Sequence, residues 1–345
     1  MIRICMRVLS LVLVAAVITS ISGFSYLYFR KPAAAQPSAV KIEITPARLA
    51  RGKYLFTLAD CGGCHSQRDF SRFGGPEIEH AVGRGNVFPP ELGLPGLVAA
   101  RNITPDKETG IGNWTDGEKI RAIREGVSRD GTALFPMMGY QAFRHMSDED
   151  VYSLVAYLNT LTPVKNRVPR SQIAFPVSLF IKSAPRPAGH VPEPDRSNKV
   201  KYGEYLVTVA GCAVCHTPAK NGKRLKGLTL AGGEEFRVPG AVVVSANITP
   251  DPQTGIGRWS EQDFLDRFYQ YKEYAEKGSP VVGPESFTLM PWLNFAQLEP
   301  EDLKAIYAFL RTQPAVYHVV DSHPVWQARA AKGREINSRL VEPTL

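Results

Sequence analysis

The chain has 345 residues, of which 41 are Lys or Arg and 33 are Asp or Glu, so its formal net charge is +8. Hydrophobic residues make up 44% and charged residues 21%, a balance typical of folded domains, and the length accommodates two of ordinary size. Positive charge favours an acidic partner or an anionic membrane surface. Nucleic acid is not an expected partner, because the Lys and Arg residues form no cluster interleaved with aromatic residues.

The N-terminal region contains an uncharged apolar run from Val8 to Phe29, bounded by Arg7 and Arg30. As a helix, this run is long enough to span a bilayer of roughly 30 Å. It is longer than the about 7–15 apolar residues usual in a signal peptide, so we predict a retained membrane anchor over residues 1–31. The alternative is an export signal cleaved at the small residues 33–35. Either segment would place the rest of the chain outside the cytoplasm.

The first folded region begins at Thr45 and Pro46, which are a capping residue and a first-turn residue typical of a helix start. This helix leads into Cys61-Gly62-Gly63-Cys64-His65. Cys-x-x-Cys-His is the attachment signature of c-type haem, because two thiols at this spacing reach the two vinyl groups while the adjacent imidazole meets the iron. For a Cys-x-x-Cys motif alone, half of a zinc site or a redox dithiol are the alternatives.

Downstream of the motif, a loop dense in Gly and Pro at residues 83–96 predicts little regular structure. Two further segments follow, Asn-Ile-Thr-Pro-Asp at 102–106 and Thr-Gly-Ile-Gly-Asn-Trp at 109–114. Each of the next two helices is preceded by a predicted capping box. The predicted boxes pair Thr115 with Glu118 and Ser147 with Asp150.

The second half of the chain repeats the first. The motif recurs as Cys212-Ala213-Val214-Cys215-His216, the two loop segments recur at 247–251 and 254–259, and Ser260 with Asp263 forms the matching capping box. Such a register over so many segments indicates duplication of a whole domain. We therefore expect one haem attached in each copy.

These boundaries predict cytochrome-like domains at 45–163 and 202–314, joined by a proline-rich linker at 164–201 and followed by a tail at 315–345. The linker carries an unusual apolar patch at residues 173–181. We expect this patch to pack against one of the domains, and the alternative is docking on a partner.

Each iron needs a second axial ligand, and a methionine thioether raises the potential relative to a second histidine. In the second domain Met290 is the methionine available. In the first domain Met137, Met138 and Met146 compete, and the repeat register selects Met138 because it alone keeps every gap to the closing helix. His145 is an alternative ligand because it lies close to this loop in the sequence.

The cysteines leave little room for other metal chemistry. Of the five, Cys5 lies in the apolar leader and the other four belong to the two motifs: Cys61, Cys64, Cys212 and Cys215. The predicted cofactors are thus two covalently bound haem c groups, with His65 and His216 as motif ligands. The remaining histidines are expected to be surface residues or residues with satisfied partners. Met137 and Met146 are expected to be packing residues, and Trp114 and Trp259 to pack in the two cores.

The combination of CxxCH, NITPD, TGIGxW, a Met loop and SDEDVxxLxAYL resembles the cytochrome c subunits of membrane-bound bacterial dehydrogenases for alcohols, gluconate and aldehydes. This resemblance implies an all-α fold with two tandem class I cytochrome c domains after an N-terminal transmembrane helix. It also implies His65 with Met138 on one iron and His216 with Met290 on the other.

The resemblance further implies the place of the protein in electron transfer. It would accept electrons from a separate dehydrogenase catalytic subunit and pass them to the respiratory chain, whether quinone, another cytochrome c or an oxidase. It would sit in the inner membrane with periplasmic domains and would not itself be an enzyme.

The rival hypothesis is a dihaem enzyme, such as a peroxidase or a sulfur-compound oxidoreductase. Such an enzyme needs an open iron site or an unusual ligand such as Cys, whereas each domain here offers a methionine. A ligand-binding sensor, a third hypothesis, would normally carry a signalling domain, and the sequence shows no motif for one. The sequence favours the electron carrier.

Overall fold

The structure is a computed structural model that describes residues 2–220, 222–238, 241–283 and 286–322. Most of its regular structure is helical, and the strands pair two by two in antiparallel fashion. The predicted all-α class is therefore confirmed, with two tandem helical domains after a long N-terminal helix. The tail beyond residue 322 lies outside the described residues.

Thirteen α-helices occur in the described residues. They are α1 (Ile2–Phe29), α2 (Pro46–Leu58), α3 (Cys61–His65), α4 (Asp116–Glu125), α5 (Tyr140–Phe143), α6 (Asp148–Leu158), α7 (Val177–Phe180), α8 (Lys199–Val209), α9 (Cys212–His216), α10 (Glu261–Tyr269), α11 (Lys272–Lys277), α12 (Trp292–Phe295) and α13 (Pro300–Arg311). Domain 1 is built from α2 to α6 and domain 2 from α8 to α13.

The strands form four short pairs, β1 with β3, β2 with β4, β5 with β6, and β7 with β8. They are β1 (Asn86–Val87), β2 (Gly96–Leu97), β3 (Ala99–Ala100), β4 (Gln172–Ile173), β5 (Ala219–Lys220), β6 (Lys223–Arg224), β7 (Glu235–Val238) and β8 (Ala241–Val244). Three of these pairs lie in the loops after the haem motifs, and the pair of β2 with β4 ties the linker to domain 1.

α1 stands apart from both cores, since none of its most apolar stretch, within Arg3–Phe29, is buried in the protein. Its length and composition are those of a helix that can cross a membrane, although a signal sequence has the same properties.

The first and last helices of each domain cross at a glycine. α2 packs on α6 where a Cβ at Gly52 would overlap the carbonyl oxygen of Ser153, and α8 packs on α13 where a Cβ at Gly203 would overlap that of Ala305. The leucine three positions after each glycine, Leu55 or Leu206, is fully buried. Burial of each leucine side chain stabilises the fold by about 1.5–3 kcal/mol. The close approach therefore depends on the absence of a side chain at both glycines.

We predict that Gly52→Ala and Gly203→Ala each destabilise the folded protein by about 1–3 kcal/mol, because the helices must move apart to admit the methyl group. A lower melting temperature by circular dichroism measures this effect. Gly189→Ala is the control, since a Cβ there meets no atom within 4 Å. An unchanged melting temperature for Gly52→Ala would contradict the described crossing.

Two of the three predicted capping boxes are confirmed. In the box at Thr115 the cap side chain accepts from the backbone of Glu118 and the Glu118 carboxylate accepts in return, and the box at Ser260 is complete in the same way. At Ser147 the prediction was wrong in part, because the hydroxyl accepts from the Asp150 backbone but the Asp150 carboxylate does not return to the cap. That carboxylate binds partners from other helices instead.

One partner of Asp150 lies in its own domain, and the other forms one of two reciprocal contacts between the domains. Arg51 of α2 donates two hydrogen bonds to Asp150, at 2.7 and 2.8 Å. Tyr205 of domain 2 donates its hydroxyl to the same carboxylate at 2.5 Å. In the reciprocal contact, Tyr54 of domain 1 donates to Asp302 of domain 2 at 2.6 Å.

These contacts relate the domains by an approximate two-fold arrangement. Tyr54 and Tyr205 hold the same place in the two repeats, as do Asp150 and Asp302, so each copy reaches the other through the same pair of side chains. Burial, followed by the charge of the facing carboxylate, raises the pKa of both tyrosines. Both phenols are therefore protonated donors at neutral pH.

The proline-rich linker lies along domain 1. The amide nitrogen of Asn166 donates to the hydroxyl of Thr109 at 2.9 Å, and that of Asp148 donates to the carbonyl of Val191 at 3.0 Å. Leu179 is buried, whereas Phe175 and Phe180 are exposed. The apolar patch packs on a domain through one side, as expected, and presents aromatic rings on the other.

Candidate haem attachment sites

Each Cys-x-x-Cys-His motif forms one short helix that starts where the chain turns sharply. Before α3 the turn is made by Asp60 in the left-handed conformation at φ 47°, and before α9 it is made by Gly211 at φ 67°. Positions i, i+3 and i+4 share one face of a helix. Both thiols and the imidazole of each motif are thus directed to the same side.

Both motif histidines are held by a backbone carbonyl. Nδ1 of His65 lies 2.7 Å from the carbonyl oxygen of Arg101, and Nδ1 of His216 lies 2.7 Å from that of Ala246. A carbonyl only accepts, so Nδ1 carries the proton and Nε2 keeps its lone pair for a metal. Burial lowers the pKa of both imidazoles, which favours the neutral form needed for ligation.

The Asn-Ile-Thr-Pro-Asp segment explains how those carbonyls are fixed. Asn102, which follows Arg101, is buried and donates Nδ2 to the carbonyl of Val164 at 2.7 Å, while its Oδ1 accepts from the Thr104 backbone at 2.9 Å. Asn247, which follows Ala246, repeats these bonds with the carbonyl of Val316 at 2.8 Å and the backbone of Thr249 at 2.9 Å. The repeated loop is therefore a clamp for the carbonyl that orients the motif histidine.

The environment of the cysteines argues against a redox dithiol or a zinc site. Burial raises the pKa of Cys61, and it raises that of Cys64 and Cys212 to about 12 and that of Cys215 to about 11. A reactive dithiol needs a lowered thiol pKa. Within the described part of the chain, no three His, Cys, Asp or Glu residues come together as a metal cluster. Neutral thiols next to an oriented imidazole fit covalent haem attachment.

The Met loops place the predicted second ligands at the edge of each core. Met138 ends a short 3₁₀ helix and Met290 precedes α12, and both are half-buried against the hydrophobic core. Met146 is fully buried, as expected of a packing residue, whereas the prediction was wrong for Met137, which is 37% exposed. Their roles as iron ligands remain predictions.

The other histidines show ordinary surroundings. His145 is exposed, and His190 pairs with Asp148 at 2.6 Å on the surface. Nδ1 of His318 donates to the carbonyl oxygen of Ala231 at 3.0 Å. His80 is exposed, and His323 lies outside the described residues. Trp114 and Trp259 pack against the hydrophobic core as expected.

Two carboxyl groups lie close to the first motif. Burial raises the pKa of Asp60 to about 6, although Arg68 opposes this shift, and burial also raises the pKa of Glu77. At the second motif the position of Asp60 is occupied by Gly211. The two sites therefore differ in charge, and an ionised Asp60 would stabilise an oxidised, more positive centre at the first.

Domain 2 packs directly against the first motif. Nδ2 of Asn294, four residues after Met290, donates to Asp60 at 2.7 Å. Phe73, in the loop after the first motif, stacks on Tyr271 with ring centroids 4.7 Å apart.

Buried guanidinium groups near these loops keep unused donors. Among the described residues, Nε of Arg84 and both Nε and Nη2 of Arg144 are buried without a hydrogen-bond partner. Arg84 immediately precedes Gly85, whose amide donates to the carbonyl of His65. Buried cationic donors of this kind suit carboxylate groups, and haem carries two propionates.

The fold and the duplicated attachment sites define a c-type cytochrome. Residues 49–162 and 200–314 each match the family model of cytochrome c, and the chain belongs to this family. Domains of this family carry covalently bound haem c.

Similar proteins include electron-transfer subunits of dehydrogenases. The fructose dehydrogenase cytochrome subunit of Gluconobacter japonicus is 34% identical over 301 residues, which cover 81% of this chain and 56% of that protein. The cytochrome c subunit of alcohol dehydrogenase (quinone) of Komagataeibacter europaeus is 31% identical over 283 residues, 78% of this chain and 57% of that protein. This chain spans a little over half the length of these subunits.

A third relative matches over nearly its whole length. The diheme cytochrome c-type protein of Cereibacter sphaeroides is 28% identical over 303 residues, which cover 86% of this chain and 95% of that protein.

Sequence reasoning did not anticipate the contacts between the domains. The signal for one of them was present, since Tyr54 with Tyr205 and Asp150 with Asp302 are identical pairs at matching repeat positions. The bond between Asp60 and Asn294 had no such signal, because neither residue has the same type in the other repeat.

Proposed function

We propose that this protein is a dihaem c-type cytochrome that receives electrons from a dehydrogenase catalytic subunit and passes them to the respiratory chain. The observation that carries the proposal is the duplicated site. In each of two cytochrome c domains a Cys-x-x-Cys-His helix presents an imidazole whose Nδ1 is held 2.7 Å from a backbone carbonyl. The similarity to dehydrogenase cytochrome subunits supports the choice of partner.

In this proposal the residues of the two sites have distinct tasks. Cys61 and Cys64 hold one haem and Cys212 and Cys215 the other, while His65 with Met138 and His216 with Met290 supply the axial ligands. Haem supplies one-electron chemistry when bound. The protein orients the imidazoles through Arg101 and Ala246 and excludes water by packing. These assignments rest on the motif geometry and the repeat register.

The packing of the domains supports transfer of electrons from one site to the other. Asn294 of domain 2 binds Asp60 beside the first motif, and the crossed bonds of Tyr54 and Tyr205 hold the domains in one orientation. A fixed distance between the sites makes the rate of transfer independent of domain motion. The final acceptor in this proposal is quinone, another cytochrome c or an oxidase.

The rival enzyme is less well supported. A peroxidase-type site needs an iron with an open position, whereas each domain places a half-buried methionine at the matching register position. The relatives named above include dehydrogenase cytochrome subunits, and none of these names is that of a peroxidase.

Isolation of the tagged full-length protein from membranes tests the function. We expect a dehydrogenase catalytic subunit to co-purify, and addition of its substrate to reduce both haems, as followed by the absorbance of ferrous haem. Addition of hydrogen peroxide to the reduced protein should give no turnover above that of free haem. Haems that stay oxidised after addition of the dehydrogenase substrate, together with rapid turnover of hydrogen peroxide, would favour the dihaem enzyme.

We further propose that α1 anchors the protein in the inner membrane with both domains on the periplasmic side. We expect the mature protein to keep the first residues of the sequence and to stay in the membrane fraction after a salt wash. The reason is that about 20 apolar residues hold a helix in a bilayer. N-terminal sequencing measures this outcome. A soluble protein that begins near Gln36 would identify residues 1–35 as a cleaved signal.

A further inference from the structure

The apolar patch of the linker, residues 173–181, packs on domain 1 through one side and leaves the other side exposed. Its first strand, β4, pairs with β2 of domain 1, the amide nitrogen of Ala174 donates to the carbonyl of Pro95 at 2.8 Å, and Leu179 is buried. On the other side Phe175 is 69% exposed and Phe180 is 56% exposed. Two exposed phenylalanines on a segment held firmly to a domain mark a contact surface.

This surface adjoins the C-terminal end of α1. The ring of Phe175 lies 6.4 Å from the ring of Phe24 between centroids. Nζ of Lys182 donates to the carbonyl of Tyr28 at 2.7 Å, and a guanidinium nitrogen of Arg30 donates to the hydroxyl of Ser183 at 2.9 Å. The patch is thus continuous with the end of the apolar helix.

The chemistry of the junction is that of a membrane–water boundary. Aromatic rings are enriched at headgroup level, and Lys or Arg side chains there reach lipid phosphates while their stems stay in apolar surroundings. Here Phe175 lies against Phe24, Phe180 is two residues before Lys182, and Arg30 and Lys31 directly follow the apolar run. If α1 spans the bilayer, these rings lie at the membrane boundary, where a soluble protein partner would have to displace lipid headgroups to reach them.

We propose that residues 173–183 form a second membrane contact, in which Phe175 and Phe180 enter the headgroup region and Lys182 pairs with anionic lipid. This inference rests on the proposed anchoring by α1. Because the segment is bound to domain 1 by β4, domain 1 is the membrane-proximal domain.

Photo-cross-linking in the full-length protein tests the contact. The photoreactive residue p-benzoyl-phenylalanine replaces Phe180, and in a second protein Phe175, after reconstitution in vesicles of phosphatidylcholine and phosphatidylglycerol. Irradiation and mass spectrometry then measure lipid adducts. The same probe at Val14 reports on α1, and at Tyr317, which is 64% exposed and follows domain 2 in the chain, it serves as the control outside the proposed contact.

We expect lipid adducts at Phe175, Phe180 and Val14, at a yield several-fold above that at Tyr317. Adducts at Val14 with none at the two phenylalanines, or with cross-links there to protein only, would overturn the second contact and leave the anchor intact. No adduct at Val14 would remove the anchor and the inference together. Equal yields at Phe180 and Tyr317 would also overturn the proposal, because the contact would then have no preferred face.

Discussion

Denatured full-length protein is expected to keep two covalently attached haems by intact mass, and one after the double change Cys61→Ala and Cys64→Ala. The physical reason is that each haem is held by two thioether bonds to its own motif, so loss of both thiols of one motif leaves only the weaker axial bonds, which denaturation breaks. The matched change Cys212→Ala and Cys215→Ala is expected to leave one haem as well.

The fifth cysteine provides the control for this experiment. Cys5 lies in α1 and belongs to neither motif, so Cys5→Ser is expected to keep both haems. A wild-type protein with a single haem would show that one of the two motifs is not an attachment site. In that case the pairing of His216 with the carbonyl of Ala246, or of His65 with that of Arg101, would serve packing alone.

Replacement of Met290 by His is expected to lower the potential of the haem in domain 2 and to leave the other haem nearly unchanged. An imidazole in place of a thioether stabilises the ferric state, and axial ligands set haem potentials over about 0.8 V. We expect a decrease on the order of 0.1 V or more. Spectroelectrochemical titration of both haems measures this change.

Met138→His is the matched variant for domain 1, and Met137→Leu is its control. Met137 is more than one-third exposed, so its replacement by Leu is expected to change neither potential. The weak near-infrared charge-transfer band of oxidised His/Met haem should have two-haem intensity in the wild type and half of it in either Met→His variant. A wild-type band of one-haem intensity would leave one iron open or bound by another group, and the enzyme hypothesis would then be favoured.

The sequence by itself determined the features of this protein that depend on residues close together in the chain. The Cys-x-x-Cys-His spacing is chemistry of five neighbouring residues, and the box of Thr115 with Glu118 is a contact within one helical turn. The duplication is visible because its register survives in the sequence. Two cytochrome domains, their attachment residues and the methionine loops could therefore be predicted before any coordinates were known.

Only the tertiary structure decided which partners those residues take over long distances. Asp150 was predicted to close a capping box, but its carboxylate binds Arg51 and Tyr205, because charge-assisted hydrogen bonds from other helices outweigh a local bond to the cap amide at this buried helix end. The bond of Asn294 to Asp60 joins residues 234 positions apart. Periodicity and propensity carry no information on such a pair, since both describe a single segment.

In the linker, too, one feature was predicted from the sequence and another was decided by the tertiary structure. Its apolar composition predicted a packed segment, and β4 does pair with β2. Composition could not tell which rings face the domain and which face outward. That depends on where α1 ends, since Lys182 binds the last turn of that helix and Phe175 lies against Phe24.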